Sequence, residues 1–505
     1  MHKPRVLGIS ASLRNARIGY GSSRLVGELQ NLKSETELRA FIADQTRIRV
    51  DDFLANGRAQ DKPFDETYEA LRKLSGEQGL SNSEAALAVA MWGALQEGAD
   101  VAHISLASHF PPYGRVRGIE VLRNAILSSD AILLSGPVYF GDRGSLAQSF
   151  VDFCAADPVV RAHVKGKVYG GLAVGAKRNG GQETTLIYQM LDMINLSMLA
   201  VGNSSETSSQ YGGTAVAGDI GTFSSDEYGF ETCLGTGKRV ARVASLLTGS
   251  EGRTLNGKIK VHLWLLQDHI DRRGRTYFEQ WCKEMSTLRN DVEFRLWDMA
   301  EEDISRCIAC DICPIEVGPR EEYRCIIKSE RDFFRREHEE LIDADAVLVC
   351  AYSPEDRASL VSQYQTFMER TRYIRRDNYL FSDLLAAPFV ISELSARQNL
   401  NVRIMTSIVR HHTVVHHPLV GMKYEQHILN WEALLRLGTS FVDDARRLIA
   451  GQLNSSTVES YYNPVGYTIS QEKSDLDKAS GETQELHAKN AESVRRRRNS
   501  TLKLN

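Results

Sequence analysis

A chain of 505 residues exceeds what one ordinary hydrophobic core organises, so at least two domains are expected. Apolar residues at 42 % and charged residues at 25 % are those of a soluble globular protein, and a formal net charge of −4 leaves no electrostatic footprint for nucleic acid. No apolar run reaches the ~20 residues of a membrane span. Met1–Arg5 does not read as a signal-peptide start, so the expectation for the eight cysteines is a cytoplasmic protein with reduced thiols rather than a disulfide framework.

Val6, Leu7 and Ile9 predict an opening strand, followed by a loop of small hydroxyl residues and a helix from about Ser22. Ser10, Ser12, Arg14, Ser22 and Ser23 offer what a phosphate takes: hydroxyl and backbone donors, a forked cation and the positive end of a helix dipole. The loop alone is equally explained as a polar strand-to-helix turn, and it carries neither G-x-x-x-x-G-K-[ST] nor G-x-G-x-x-G. Residues 35–97 then read as a polar helical insertion, long for one crossover, with its clearest apolar spacing over Ala85–Leu95. Val101–Leu106 is the next predicted strand, Ile119–Ser128 a helix, and Ala131–Ser135 a buried central strand.

That strand leaves through Gly136, Pro137, Val138, Tyr139, Phe140 and Gly141. At the carboxyl edge of an open α/β sheet, where ligands bind, these residues offer a stiff turn, two planar faces and a glycine that permits close approach. Another strand, Val168–Val174, runs into Gly175–Glu183, where Lys177, Arg178, Gly180 and Gly181 suit the polar edge of a ring. Helix Thr184–Leu196 and strand Met198–Val201 follow. The exit Gly136–Gly141 taken alone also reads as a packed strand-to-helix turn. Together the three loops supply a phosphate cradle, a ring sandwich and donors to a pyrimidine edge, which are the requirements of FMN.

In GISASLR with a later GSS, in DAILLSGPVYFGDRGSLAQSFVDF, in GGQETT and in GDIGTFSSDEYGFETCLGTGKRVA, residues 5–245 resemble the flavodoxin-like NAD(P)H-dependent FMN reductase family, particularly its iron–sulfur flavoproteins. The resemblance implies FMN with its phosphate on Ser10, Ser12, Arg14, Ser22 and Ser23, and its ring flanked by Pro137, Val138, Tyr139, Phe140 and Gly141. Lys177, Arg178, Gly180 and Gly181 are then implied near the pyrimidine edge. NAD(P)H is the implied co-substrate and a homo-oligomer the implied assembly. The extended loop Asn15–Gly21 and the insertion after it depart from the family pattern.

The alternation of strands and helices restarts after the polar bridge EGRTLNG at 251–257, and DADAVLVCAYSP echoes SSDAILLSGPVY. The predicted fold class is therefore α/β, with two flavodoxin-like doubly wound parallel-sheet domains in tandem, residues 1–250 and 257–453. A flexible charged tail is expected over 454–505, carrying the basic run Arg495–Arg498. The second copy has lost the serine cluster of its first loop; Arg272, Arg273 and Arg275 stand there beside two aspartates, as a solvated polar turn or a residual phosphate contact. Cys307, Cys310 and Cys313, followed by Pro314, have the compact C-x2-C-x2-C spacing of four-iron four-sulfur ligation, with Cys325 as a fourth candidate. Zinc, a redox disulfide and reduced structural thiols stay open for this motif.

The predicted activity is NAD(P)H-driven reduction of a flavin, quinone or other small acceptor. The rival readings are an FMN and iron–sulfur protein passing electrons to a redox partner protein, and a flavodoxin-like scaffold without flavin. Lys177 and Arg178 are the candidates for positive charge beside the reduced ring, and no side chain is assigned as an obligatory acid or base.

Overall fold

The computed structural model describes residues 3–55, 63, 65–66, 77–112, 116–204, 207, 209–310, 325–357, 360–376, 380–455 and 497–505. The chain divides into two compact units, Met1–Thr248 and Gly249–Asn505. In the first, strands β1 (Arg5–Ser10), β2 (Asp100–Ser105), β3 (Ala131–Tyr139), β4 (Asp142–Arg143), β5 (Val168–Gly175), β6 (Leu199–Ala200) and β7 (Gly213–Val216) alternate with helices. β1 pairs in parallel with β2 and β3, β3 with β5, and β5 with both β6 and β7. The order β2-β1-β3-β5-β6/β7 is that of an open doubly wound sheet whose ligands sit at the carboxyl ends of its strands. β5 is buried along its whole length, and β3 through Gly136, because helices cover both faces; this is why they read as unbroken apolar runs.

The helix Asn82–Gln96 corrects the sequence reading of 35–97 as one insertion. Residues Ser83–Ala94 are all buried, and the helix packs on β1 and β3, so it is the core crossover between β1 and β2. Its opposite flank meets the helix Glu227–Gly249 at backbone distance: a Cβ added to Gly237 would lie 1.8 Å from the Ala90 carbonyl oxygen, so no side chain fits there. The added segment therefore lies upstream and includes helices Tyr20–Asn31 and Glu35–Ala55. Arg17, fully buried, anchors it by bonds to the Gly79 carbonyl (3.2 Å) and Gln45 Oε1 (2.6 Å) and an ion pair with Glu28 (2.9 Å).

The second unit holds β8 (Leu255–Asn256), β9 (Ile259–Leu265), β10 (Val292–Asp298), β11 (Ala346–Ser353), β12 (Leu385–Glu393), β13 (Val414–Val415), β14 (Leu419–Tyr424), β15 (His427–Ile428) and β16 (Lys503–Leu504). Its parallel order, β10-β9-β11-β12 with β13 and β14 both on β12, repeats the first unit's, down to a last strand divided in two. A bidentate pair, Arg370 to Asp332 at 2.8 and 2.9 Å, is buried in this unit.

The expected flexible tail over 454–505 needs correction at its described ends. Asn454 closes the helix Trp431–Asn454, and residues 497–505 are docked on the second unit. Leu502 is buried, β16 pairs antiparallel with β8, Arg498 bonds the buried carboxylate of Asp345 at 2.9 Å, and Arg497 pairs with Asp343. Arg497 and Arg498 of the basic run thus satisfy two acidic groups, which composition alone does not show.

Candidate functional site

The carboxyl edge of the first unit's sheet carries a cleft of about 750 Å³, within the ordinary range for small-molecule sites. One set of lining residues, Ala11–Arg14, comes from the loop after β1; a second, Ser81–Ser83, from the start of the core helix. Arg49 reaches it from the added helix Glu35–Ala55. Pro137–Phe140, Arg143–Leu146, Val174, Ala176, Ala217 and Ile220 complete it. The charged groups among these described lining residues are Arg14, Arg49 and Arg143, with no carboxylate and no histidine. Such a surface selects an anion.

Of the residues predicted for a phosphate, the structure brings only Ser12 and Arg14 to the cleft. Ser10 is buried within the sheet, its Oγ bonded to Asn15 Nδ2 at 2.8 Å and to His103 Nε2 at 3.2 Å. Burial, reinforced by Arg17, pushes His103 down to about 3, so this histidine is a neutral core group. Ser22 donates to the Arg17 carbonyl at 3.0 Å, and Ser23 is exposed on the helix Tyr20–Asn31 outside the lining. The helices whose amino ends line the cleft are Asn82–Gln96 and Ser145–Ala156, not Tyr20–Asn31.

Sequence reasoning missed Ser81, Asn82 and Ser83, although a signal was present: S-x-x-E directly before an apolar run. Ser81 Oγ accepts from the Glu84 N–H, and Glu84 Oε2 accepts from the Ser81 N–H at 2.9 Å. Glu84 also accepts from Ala16 N and Arg17 N at 2.9 and 2.8 Å, which ties the loop after β1 to the helix start. Asn15 Oδ1 accepts from Ser81 Oγ at 3.0 Å and closes the same loop.

The predicted ring-flanking residues Pro137, Val138, Tyr139 and Phe140 all line the cleft, in a form the sequence did not suggest. β3 continues to Tyr139 and turns back as a hairpin, with Val138 opposite Arg143 and Tyr139 opposite Asp142. Phe140 and Gly141 form its two-residue turn at φ 52° and 78°, the left-handed values such hairpins require. Phe140 is fully exposed there, and a non-glycine residue in that region costs about 1–3 kcal/mol of backbone strain. Gly141 is outside the lining, and its role is to let the third loop close: a Cβ on Gly181, itself at φ 98°, would sit 2.9 Å from Gly141 Cα.

Lys177, Arg178, Gly180 and Gly181 do not line the cleft. Arg178 pairs with Asp226, donates to the Thr214 carbonyl at 2.9 Å and lies over the Tyr228 ring. Lys177 is exposed; its carbonyl accepts from Gly180 N at 3.1 Å and from Gln182 Nε2 at 2.8 Å, a closed turn. The cation near the aromatic hairpin is instead Arg143, which pairs with Asp192 and leaves its buried Nη1 without a partner among the described residues. In the second unit, Cys307, Cys310 and Cys325 are half-buried free thiols, and Cys313 lies outside the described residues. No group of three His, Cys, Asp or Glu fit to hold a metal occurs among the described residues.

An open parallel sheet with this strand order and a cationic cleft over its carboxyl edge defines a flavodoxin-like α/β protein. The profile of the NADPH-dependent FMN reductase family matches residues 74–211, the stretch from the approach to the core helix through β6. An NAD(P)H dehydrogenase (quinone) of Acidovorax ebreus is 30 % identical over 165 residues, which are 30 % of this chain and 78 % of that protein. The chain belongs to the NADPH-dependent FMN reductase family. An iron-sulfur flavoprotein of Methanocaldococcus jannaschii is 37 % identical over 129 residues, 25 % of this chain, and the chain spans 65 % of that relative's length. A flavodoxin, WrbA-like protein from Agrobacterium tumefaciens aligns in three dimensions at 18 % identity and a TM-score of 0.25, over 48 % of this chain and 98 % of that one.

Proposed function

We propose that this chain is an FMN-dependent oxidoreductase that takes reducing equivalents from NAD(P)H and passes them to a small acceptor. The observation that carries this reading is the cleft at the carboxyl edge, whose charges are three arginines and whose rim is a strained aromatic hairpin. The residues present fit a flavin mononucleotide: the buried nitrogens Arg49 Nη1 and Arg143 Nη1 lack partners among the described residues and suit the acceptors of a bound anion. Ser12, Arg14, Arg49 and the backbone at Ser81–Ser83 would hold the phosphate; Pro137–Phe140 would flank the ring, and Arg143 would keep positive charge beside it. When bound, FMN supplies the hydride and single-electron chemistry. The chain's own part is binding, orientation and charge, and the described lining residues include no carboxylate or histidine to move a proton.

The second unit, with its repeated strand order, is on this reading a degenerate copy of the first. The relatives' names support a quinone as one candidate acceptor, and a homo-oligomer without nucleic-acid or membrane partners is the proposed working form. The test is an anaerobic titration of the full chain with FMN and then NAD(P)H. One FMN bound per chain, bleached by the nicotinamide, supports the proposal; failure to take up FMN sinks it. The C-x2-C-x2-C motif carries a second reading, electron transfer between FMN and an iron–sulfur cluster, which iron and sulfide analysis of the same sample decides.

A further inference from the structure

The helices between β1 and the core helix bring a charge to the cleft that the loop after β1 does not contain. Arg49 stands in the helix Glu35–Ala55, is 4 % exposed and lines the cleft, and its Nη1 has no hydrogen-bond partner among the described residues. A buried guanidinium left in this state is costly, since each unmade bond of a charged donor forfeits its hydration without compensation. Its surroundings compensate only in part. Burial pulls Arg49 below its ordinary value, Glu84 and Asp52 pull the other way, and Arg14 adds repulsion from across the cleft. The Glu84 carboxylate is already engaged by three backbone N–H groups, of Ala16, Arg17 and Ser81. Arg17, equally buried, also keeps its Nη1 without a partner among the described residues, but it is ion-paired with Glu28, bonds Gln45 and the Gly79 carbonyl, and does not line the cleft. Two like charges facing one cavity, one of them with a nitrogen unpartnered, describe a site built for a bound dianion.

We infer that Arg49, supplied by the added helix, is a specificity-determining residue that makes this cleft select the phosphorylated flavin, FMN, over riboflavin. The inference rests on the flavin reading above and extends it to a residue outside the segment the family profile matches. A phosphate monoester placed between Arg14 and Arg49 gives Arg49 the acceptor it lacks and relieves the repulsion between the two guanidinium groups. Riboflavin, identical in its ring, offers neither.

The test is flavin-fluorescence titration of the full chain and its Arg49→Gln and Arg49→Lys variants with FMN and with riboflavin, alongside thermal unfolding without flavin. The parent is expected to favour FMN strongly. Arg49→Gln is expected to weaken FMN about tenfold or more, the usual scale for a charge-assisted bond, and to leave riboflavin unchanged. Arg49→Lys is expected to restore part of the preference, and Arg49→Gln to unfold no earlier than the parent, because the arginine it removes is unsatisfied. Equal FMN and riboflavin affinity in the parent, or an FMN preference that survives in Arg49→Gln, overturns the inference while leaving flavin binding intact. A parent that binds neither flavin overturns the functional reading itself. Early unfolding of Arg49→Gln, with equal loss of both flavins, assigns Arg49 a structural role and likewise overturns the inference.

Discussion

The two units share one strand order, yet they treat their arginines differently. In the first, Arg14, Arg49 and Arg143 face a cleft, and Arg49 and Arg143 each keep a buried nitrogen without a partner among the described residues. In the second, the corresponding loop after β9 is richer in arginine and its cations are closed by carboxylates: Arg272 and Arg275 both close on Asp298 and Glu301 and Arg273 on Asp271 and Asp356, while Arg357, beyond β11, pairs with Asp271 and keeps only its buried Nε without a partner among the described residues. The aromatic exit is filled as well. Tyr352, at the end of β11, stacks on Tyr277 at 6.3 Å and bonds Glu393. An anion site is thus marked by cations without a carboxylate ion pair among the described residues, as Arg14 and Arg49 are, rather than by the number of arginines, because a carboxylate already in place lowers both the field and the free donor count.

That contrast can be broken at several points, and the largest effect is expected in the second unit's interior. Removing the carboxylate of Asp332 leaves Arg370 charged and buried; Asp332→Ala is expected to lower unfolding stability by about 3–5 kcal/mol. Tryptophan fluorescence in denaturant reads this directly, since Trp264, Trp281, Trp297 and Trp431 lie in that unit and only Trp92 in the first. Flavin affinity per folded molecule is expected to stay put; a large loss would contradict placing the site in the first unit alone.

Next in size is Gly181→Val. Its Cβ would press on Gly141 at a φ closed to branched residues, so about 1–3 kcal/mol of strain falls on the hairpin that carries Tyr139 and Phe140. An FMN affinity unchanged in this variant would show that the hairpin does not touch the ring.

Acid also separates the units. In the second, His262 and His411 are driven to about 4 and about 3, chiefly by burial; in the first, His103 is driven to about 3. The folded forms refuse a proton that the unfolded chain accepts below about pH 6.5, so stability falls as pH drops through that value. The slope is about 1.4 kcal/mol per pH unit for each such group. Burial lowers His417 of the same unit as well, so between pH 6.5 and 5, above the carboxylate range, tryptophan-detected stability should fall with at least twice the slope of a single group, and His262→Phe should remove about one group's share of it. A flat profile would refute the assignment of these histidines as buried neutral groups.

The smallest effects test the site most finely. Phe140→Gly removes an exposed ring and a strained φ together, so stability is expected to rise by up to about 1 kcal/mol while FMN binds several-fold more weakly. Arg272→Gln with Arg275→Gln is expected to change FMN affinity not at all, because those cations are internally neutralised. A measurable loss there would mean that the second unit also holds a phosphate.

Much of the fold was legible in the chain. The unbroken apolar runs of β3, β5 and β11, each reaching a carboxyl-edge loop, announce a parallel sheet covered on both faces, and Pro137–Phe140 announce an aromatic rim at a central strand's end. Those features are local, since strand period and turn chemistry depend on neighbours a few residues away. The phosphate end was only half legible. Ser10, Ser22 and Ser23 have the right chemistry, but the first two are consumed by contacts inside the sheet and loop, and the third stands on a helix whose amino end does not line the cleft. What tertiary structure alone decided is which helix start meets the first loop and which arginines find carboxylates. Charge satisfaction is set by groups far apart in sequence, as Arg370 with Asp332 and Arg498 with Asp345 show, and no local pattern reveals that Arg49 lines the cleft with a buried nitrogen unpartnered among the described residues.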